Sequence, residues 1–257
     1  MITRRVGDRL LCFHQLDHAR LSGRLAERWG GEVPELRPRA PVLQAIGHHD
    51  AGWDDLDRRP VFDAATGAPH TYTTHGLSCS LEVADRSTSR VAERDSYAGW
   101  LVGRHFLSFH ERSDRPAARR WTDSHQRRLA ALLAAARERY EAPDLEPVVL
   151  EANVDWLQLL DALSLALCHA WPAWDGRPMA ADYAGGKIGY RYRTTGSVDL
   201  LVEGRVDPWP FATSRLEDGV PARLLEGRRW SDDATLQRAW DSAPTVRVVI
   251  VLSSPGR

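Results

Sequence analysis

The chain has few cysteines and almost no lysine. Three cysteines occur among the 257 residues, and no two of them form a CxxC pair. Three thiols cannot all pair with one another, so a disulfide-stabilised class is not favoured and a reducing compartment fits best. Lys187 is the single lysine, which means that arginine carries nearly all of the positive charge.

Long apolar runs and an excess of charge of one sign are also absent. The most apolar segments, 129–136 and 246–252, are far shorter than the roughly 20 residues of a transmembrane helix. No secretory apolar region follows Met1. Lys and Arg number 34 against 35 Asp and Glu, for a formal net charge of -1. We therefore expect a cytoplasmic protein without a nucleic acid or a membrane as partner, and the composition leaves its oligomeric state open.

Helical periodicity dominates the first two thirds of the chain. Apolar residues recur at three- and four-residue steps in five segments, each of which predicts a helix. The predicted helices cover about 17–29, 41–53, 95–110, 122–141 and 151–171. The polar stretch 54–95 between them predicts a long surface connection with one short helix around 77–83.

Strand patterns lie at both ends of the chain. Residues 2–13 read as a hairpin, and the segments after residue 185 read as short strands with one small helix at 235–240. This order predicts an α+β fold, mainly α, in one domain over 1–257. The helical core would cover about 15–180, and a small antiparallel sheet would form from about 2–13 and 185–253.

Four of the predicted helices each direct one candidate metal ligand inward. His18, His49 and His105 lie on apolar stripes, and Asp50 follows His49 at a helix end. Imidazole and carboxylate together suit divalent ions such as zinc, iron and manganese. A lone core histidine is more often a hydrogen-bonded structural residue, but five such residues facing inward together favour a metal site.

Asp161 completes this set. It lies in the segment VDWLQLLDALSLALC, whose apolar residues surround the helix on nearly every side and predict its burial. An isolated carboxylate in an apolar interior is costly unless it is protonated, paired or bound to a metal. Gln158 and Ser164 share its polar stripe and are candidates for orienting the ligands.

The order of these residues resembles the HD-domain superfamily of metal-dependent phosphohydrolases. That resemblance assigns the ligand roles to His18, to His49 with Asp50, and to Asp161 in LLDALSL. A closer likeness is to the bacterial domain of unknown function family 3891, whose members look HD-like. It covers the whole chain and rests on blocks such as QLDHARLSGRLAERWG, AIGHHDAGWDDLDRRP, HFLSF and DPWPF. The likeness implies a fold and metal ligands, and it implies no substrate.

Two features of the site stay open at this stage. Either His48 or His49 could be the ligand, and we favour His49 because it directly precedes Asp50. HD proteins with two ions use extra histidines, for which His75, His105 and His110 are candidates, with His105 the best placed. One or two ions of Fe, Mn, Zn, Ni or Mg are therefore expected.

The resemblance implies a divalent-metal-dependent phosphohydrolase, of the phosphomonoesterase or phosphodiesterase type, acting on a small phosphate ester or a nucleotide. Asp50 and His105 would be its catalytic residues, with His105 either a further ligand or a phosphate contact. Two other classes stay in consideration, namely a dinuclear-iron HD-type oxygenase and a non-catalytic protein that binds a metal or another ligand. Four basic residues are further candidates for phosphate contacts. They are Arg20, Arg104, Lys187 and Arg191.

Overall fold

Helices pack on a mixed β-sheet in the computed structural model, which describes residues 1–30, 36–176, 179–180, 183 and 186–254. These residues form eight α-helices and eleven strands. The helices are α1 (Gln15–Glu27), α2 (Arg39–His48), α3 (Asp54–Arg58), α4 (Leu77–Ala92), α5 (Ser96–His110), α6 (Pro116–Ala136), α7 (Pro147–His169) and α8 (Asp233–Ser242). The strands are β1 (Ile2–Val6), β2 (Arg9–Phe13), β3 (Phe62–Asp63), β4 (Ala68–Pro69), β5 (Ala173–Asp175), β6 (Met179–Ala180), β7 (Lys187–Ile188), β8 (Arg191–Val198), β9 (Leu201–Asp207), β10 (Arg215–Glu226) and β11 (Thr245–Ser253). The predicted α+β class is confirmed.

The N-terminal hairpin and the C-terminal strands lie in one sheet. Its strand order is β1-β2-β10-β11-β9-β8-β5. Strand β2 pairs antiparallel with β10, with Leu11 opposite Leu224. The first and last parts of the chain therefore fold together, as their strand patterns predict.

The prediction of a small antiparallel sheet is wrong in two respects. The sheet has seven strands among the described residues, and β11 runs parallel to β9, with Ile250 opposite Val202. The helical part also ends before residue 180, because Ala170 adopts a left-handed conformation with φ 52 after α7 and Pro172 cannot continue a helix. Strand β5 follows directly. Residues 185 and 257, the predicted limits of the strand region and the domain, lie outside the described residues.

Several helices differ from the sequence expectation. Helix α2 ends at His48 rather than at residue 53, and α3 lies in the stretch predicted as a surface connection. Helix α4 runs to Ala92, far beyond the predicted 77–83, because Ser87 and Thr88 are buried in its packed face. Because these buried positions are occupied by small polar residues, the buried face of α4 is not visible as a pattern of apolar residues. Helix α6 begins at Pro116, where proline suits the first turn, and ends at Ala136 rather than near residue 141.

The helix packing positions the site. Helix α1 contacts both α2 and α7, and α5 contacts α2 and α7. The main apolar core includes residues of these four helices and of the sheet, such as Leu21, Ile46, Leu101, Leu160 and Val220. No helix among the described residues is long and apolar enough to cross a membrane.

Candidate metal centre

Helices α1, α2, α5 and α7 bring one group of histidine and aspartate side chains together. The group lies among buried residues, and its most exposed member is Asp161, whose side chain is 15% exposed. His49 and Asp50 directly follow the last residue of α2. The five side chains are His18 (α1), His49 and Asp50 (after α2), His105 (α5) and Asp161 (α7).

His18, His49 and Asp161 form the tightest part of this group. One ligand atom from each lies within 4.8 Å of the other two. Nε2 of His49 is 3.3 Å from Oδ1 of Asp161, and Nε2 of His18 is 3.9 Å from the same oxygen. Ligand atoms that share one ion at about 2.1 Å each lie about 3 to 4 Å apart. The three atoms are therefore spaced as ligands of a single divalent ion.

His49 directs its Nε2 to this centre. Its Nδ1 donates a hydrogen bond to the carbonyl of Ile46 at 2.8 Å, because a carbonyl only accepts, and this bond orients the ring. Its Nε2 is buried and has no hydrogen-bond partner among the described residues. Burial alone would lower the pKa of His49, but the Asp50 and Asp161 carboxylates outweigh it and raise the pKa to about 9.

His18 is oriented by two serines. Ser164 Oγ donates to the carbonyl of Asp161 at 2.9 Å and accepts from Ser22, so it accepts from Nδ1 of His18 at 2.8 Å. Nε2 of His18 then carries a lone pair towards Asp50 Oδ2, only 2.8 Å away. Two acceptors this close require a proton or a metal ion between them. A second hydrogen bond that orients a ligating histidine is common at metal sites.

Asp161 and His105 have opposite electrostatic surroundings. Burial alone would raise the pKa of the Asp161 carboxyl, but the contact with His49 and the charges of the neighbouring histidines hold that pKa well below its usual range. Burial lowers the pKa of His105 to about 4, so this imidazole is neutral at neutral pH. Nε2 of His105 is 3.8 Å from Oδ2 of Asp161, and its buried Nδ1 has no partner among the described residues.

The other candidate histidines contact different groups. His48 is half-buried, and its Nδ1 bonds the carbonyl of Gln44 in its own helix. His75 stacks on His70, with ring centres 4.9 Å apart. His110 lies near Ser80, 3.3 Å from its hydroxyl. The structure thus brings His49, rather than His48, to the cluster, and neither His75 nor His110 belongs to the described three-ligand group.

The basic residues proposed for phosphate binding are engaged elsewhere. Each of the four forms an ion pair with a carboxylate outside the cluster. The pairs are Arg20 with Asp17, Arg104 with Glu111, Lys187 with Asp155 and Arg191 with Asp207. Gln158 donates to Ser108 at 3.0 Å, whereas Ser164 contacts His18 as described above.

Two aromatic residues near the cluster were not identified from the sequence. Burial raises the pKa of Tyr72, and the charges of Asp161 and Asp50 raise it further. Phe109 is 58% exposed, with its ring centre 4.8 Å from that of His105. The exposed Phe109 marks the solvent side of the cluster. Tyr72 lies in the polar 54–95 segment, whose sequence carries no periodic signal.

The donor set fits a divalent cation. It combines imidazole nitrogens with carboxylate oxygens, and the buried Nε2 of His49 faces Oδ1 of Asp161 at 3.3 Å. Imidazole nitrogens suit zinc, iron and nickel, and carboxylate oxygens suit manganese and magnesium. The fold and this cluster define an α+β protein with a buried histidine–aspartate centre.

The chain belongs to the family described as protein of unknown function DUF3891, whose model matches residues 1–227. This confirms the closer of the two likenesses drawn from the sequence, over residues 1–227 rather than over the whole chain. No curated protein and no solved structure shows significant similarity to the chain.

Proposed function

We propose that the chain is a divalent-metal-dependent phosphohydrolase with an HD-like helical core, acting on a small phosphate ester or a nucleotide. The observation that carries the proposal is the convergence of His18, His49 and Asp161 on one point, with Asp50 and His105 beside them. The order of these residues along the chain supports the interpretation of the helical core as HD-like.

Three residues of the cluster would bind the ion, and two would take part in the reaction. His18, His49 and Asp161 would hold the ion, which supplies a Lewis acid and lowers the pKa of a bound water. Asp50 contacts His18 through one carboxylate oxygen and is the group that takes up a proton from the attacking water. His105 is neutral at pH 7 and buried, so it can donate an N–H to a phosphate oxygen.

Access to this centre is expected beside His105. The side chain of Asp161 is 15% exposed, and the ring of Phe109 lies in solvent next to His105. A small substrate that enters here would present its phosphate to the cluster and its remaining part to Phe109.

The decisive experiment combines metal content with turnover. Protein purified without chelator is analysed for metals by mass spectrometry and assayed against phosphomonoesters, phosphodiesters and nucleotides. We expect about one ion per chain and hydrolysis of at least one ester, both lost in His49→Ala. His70→Ala, which removes a histidine outside the cluster, is the matched control and should retain both.

The same measurements separate the other two classes. A bound pair of iron ions with oxygen consumption would identify an oxygenase instead. Metal bound at the cluster, without turnover of any ester and without oxygen consumption, would identify a non-catalytic binding protein. Metal content unchanged in His49→Ala would show that the cluster is not the metal site at all.

A further inference from the structure

A buried arginine without a counter-charge lies away from the metal cluster. Arg4 occupies an inward-facing position of β1 and is only 8% exposed. Its guanidinium lies 5.7 Å from the centre of the Phe13 ring, and the neighbouring Cys168 and Tyr192 carry no charge at neutral pH. Strand β1 packs on α7.

Most of the hydrogen-bonding capacity of Arg4 is unused. Nη2 donates to the backbone carbonyl of Asp199 at 2.9 Å. Nε and Nη1 are buried without a hydrogen-bond partner, and no ion pair joins Arg4 to a carboxylate among the described residues. Arginine stays protonated in proteins, so it cannot avoid this cost by losing its proton. A buried cation in this state needs an anion.

A cavity of about 460 Å³ opens at this arginine. Arg4 and Arg5 line it together with His169, Ser197 and Asp199. Asp199 contacts Arg4 through its backbone carbonyl rather than through its carboxylate. His169 adds a third buried nitrogen, Nε2, that has no partner among the residues described. Its ring is held flat on Trp171, with centres 5.1 Å apart.

We propose that this cavity, defined by Arg4, Arg5, His169 and Ser197, binds a phosphate group. Arg4 supplies the buried charge and the unused N–H donors. Ser197 adds a hydroxyl, and Nε2 of His169 is placed to accept a hydrogen bond from a protonated phosphate oxygen. Phosphate offers four oxygens around one centre, and the polar groups that line the cavity come from three different elements, β1, α7 and β8.

The phosphate site is separate from the metal centre. His169 follows Asp161 by eight residues on α7, which is about 12 Å along a helix. None of its lining residues belongs to the cluster. Phosphate binding in this cavity can therefore be tested independently of the proposed hydrolase activity.

The test measures phosphate binding to the full-length chain after its metal has been removed by chelation and dialysis. Titration calorimetry with inorganic phosphate, at constant ionic strength, gives the Kd of the wild type, Arg4→Met and Arg127→Gln. Methionine keeps much of the buried stem and removes the unpaired charge, whereas Arg127 is an exposed arginine of α6 and controls for net charge. We expect saturable binding by the wild type, at least tenfold weaker binding by Arg4→Met, and an unchanged Kd in Arg127→Gln.

Each other result overturns the proposal. If the wild type shows no saturable binding, the site does not exist. If the Kd of Arg4→Met equals that of the wild type, or if Arg127→Gln weakens binding as much as Arg4→Met does, Arg4 has no specific role in binding. If Arg4→Met does not fold, His169→Phe, which keeps the stacking on Trp171, must weaken binding instead. A parallel titration with adenosine monophosphate distinguishes the source of the group, because a tighter Kd identifies a phosphate ester and an equal Kd identifies the free anion.

Discussion

Gly23 of α1 packs directly against the backbone of Gly47 in α2. A Cβ atom added at Gly23 would lie 2.9 Å from the Cα of Gly47, closer than real packing allows. The two helices therefore approach at this point without side chains between them. His18 lies five residues before one glycine and His49 two residues after the other, so this contact sets the distance between the two histidines.

Gly23→Ala should therefore disturb both stability and the metal centre. Because the obstructing atoms are backbone, the helices must separate, and we expect a loss of about 1–3 kcal/mol in the free energy of unfolding together with weaker metal binding. Gly47→Ala is the matched control, since its added Cβ meets Gly23 at an ordinary 3.7 Å. Urea unfolding and metal titration of both variants check this, and equal behaviour of the two would contradict it.

Ser164→Ala should weaken metal binding without unfolding the chain. The hydroxyl holds Nδ1 of His18 and thereby keeps Nε2 directed at the cluster. Loss of such a supporting contact typically costs about 10- to 100-fold in metal affinity. Ser242→Ala removes a hydroxyl that bonds only carbonyls of its own helix, and its metal Kd should equal that of the wild type.

Metal binding near pH 7 should release about one proton from His49. In the metal-free chain its pKa is about 9, so it is protonated at pH 7, whereas a ligating imidazole must be neutral. Calorimetry in two buffers of different ionisation enthalpy measures the proton count. A count that does not change in His49→Gln, where this proton is absent, would refute the assignment.

The pKa of His49 also determines how the stability of the metal-free chain depends on pH. The pKa of His49 is raised from 6.5 to about 9, so its contribution to stability is complete below pH 6.5 and is lost as the pH rises through 9. Thermal unfolding of chelated protein should show a Tm that falls over this window. The fall should be smaller in His49→Gln, and an identical fall in both proteins would assign it to other groups.

The helices that carry the cluster were predictable because their signals are local. His18, His49 and His105 lie on apolar stripes of period 3.6, and those stripes point to the same core that the helices bury. Asp161 was recognisable because a carboxylate in so apolar a helix needs a partner. The distance between His18 and His49 could not be predicted from the sequence, because the approach of α1 to α2 depends on the contact between two glycines far apart in the chain.

The sheet and α4 show where such reasoning fails. Strand β11 lies between β10 and β9, antiparallel to the first and parallel to the second, and alternation of apolar residues carries no information about direction. In α4 the buried Ser87 accepts from the backbone N–H of Gly52, so a polar contact takes the place of an apolar one. In the sequence, Arg4 looks like an ordinary charged residue of a strand, whereas the structure buries it without a carboxylate partner among the described residues.

Asp161→Asn tests most directly whether the cluster holds a metal. The neutral amide is a poorer ligand for a divalent cation, so the variant should bind metal more weakly while keeping nearly the same shape. A ligand stabilises the native state by RT ln(1 + [M]/Kd), so a larger Kd gives a smaller stabilisation. The measurement is four melting curves, for the wild type and the variant, each with added metal and with chelator. We expect the wild type to lose several degrees of Tm in chelator and the variant to respond much less. Asp155→Asn, at an aspartate on the same helix that pairs with Lys187, is the control and should respond like the wild type. If the wild type and Asp161→Asn show the same metal-dependent shift, Asp161 is not a ligand and the centre lacks its carboxylate from α7.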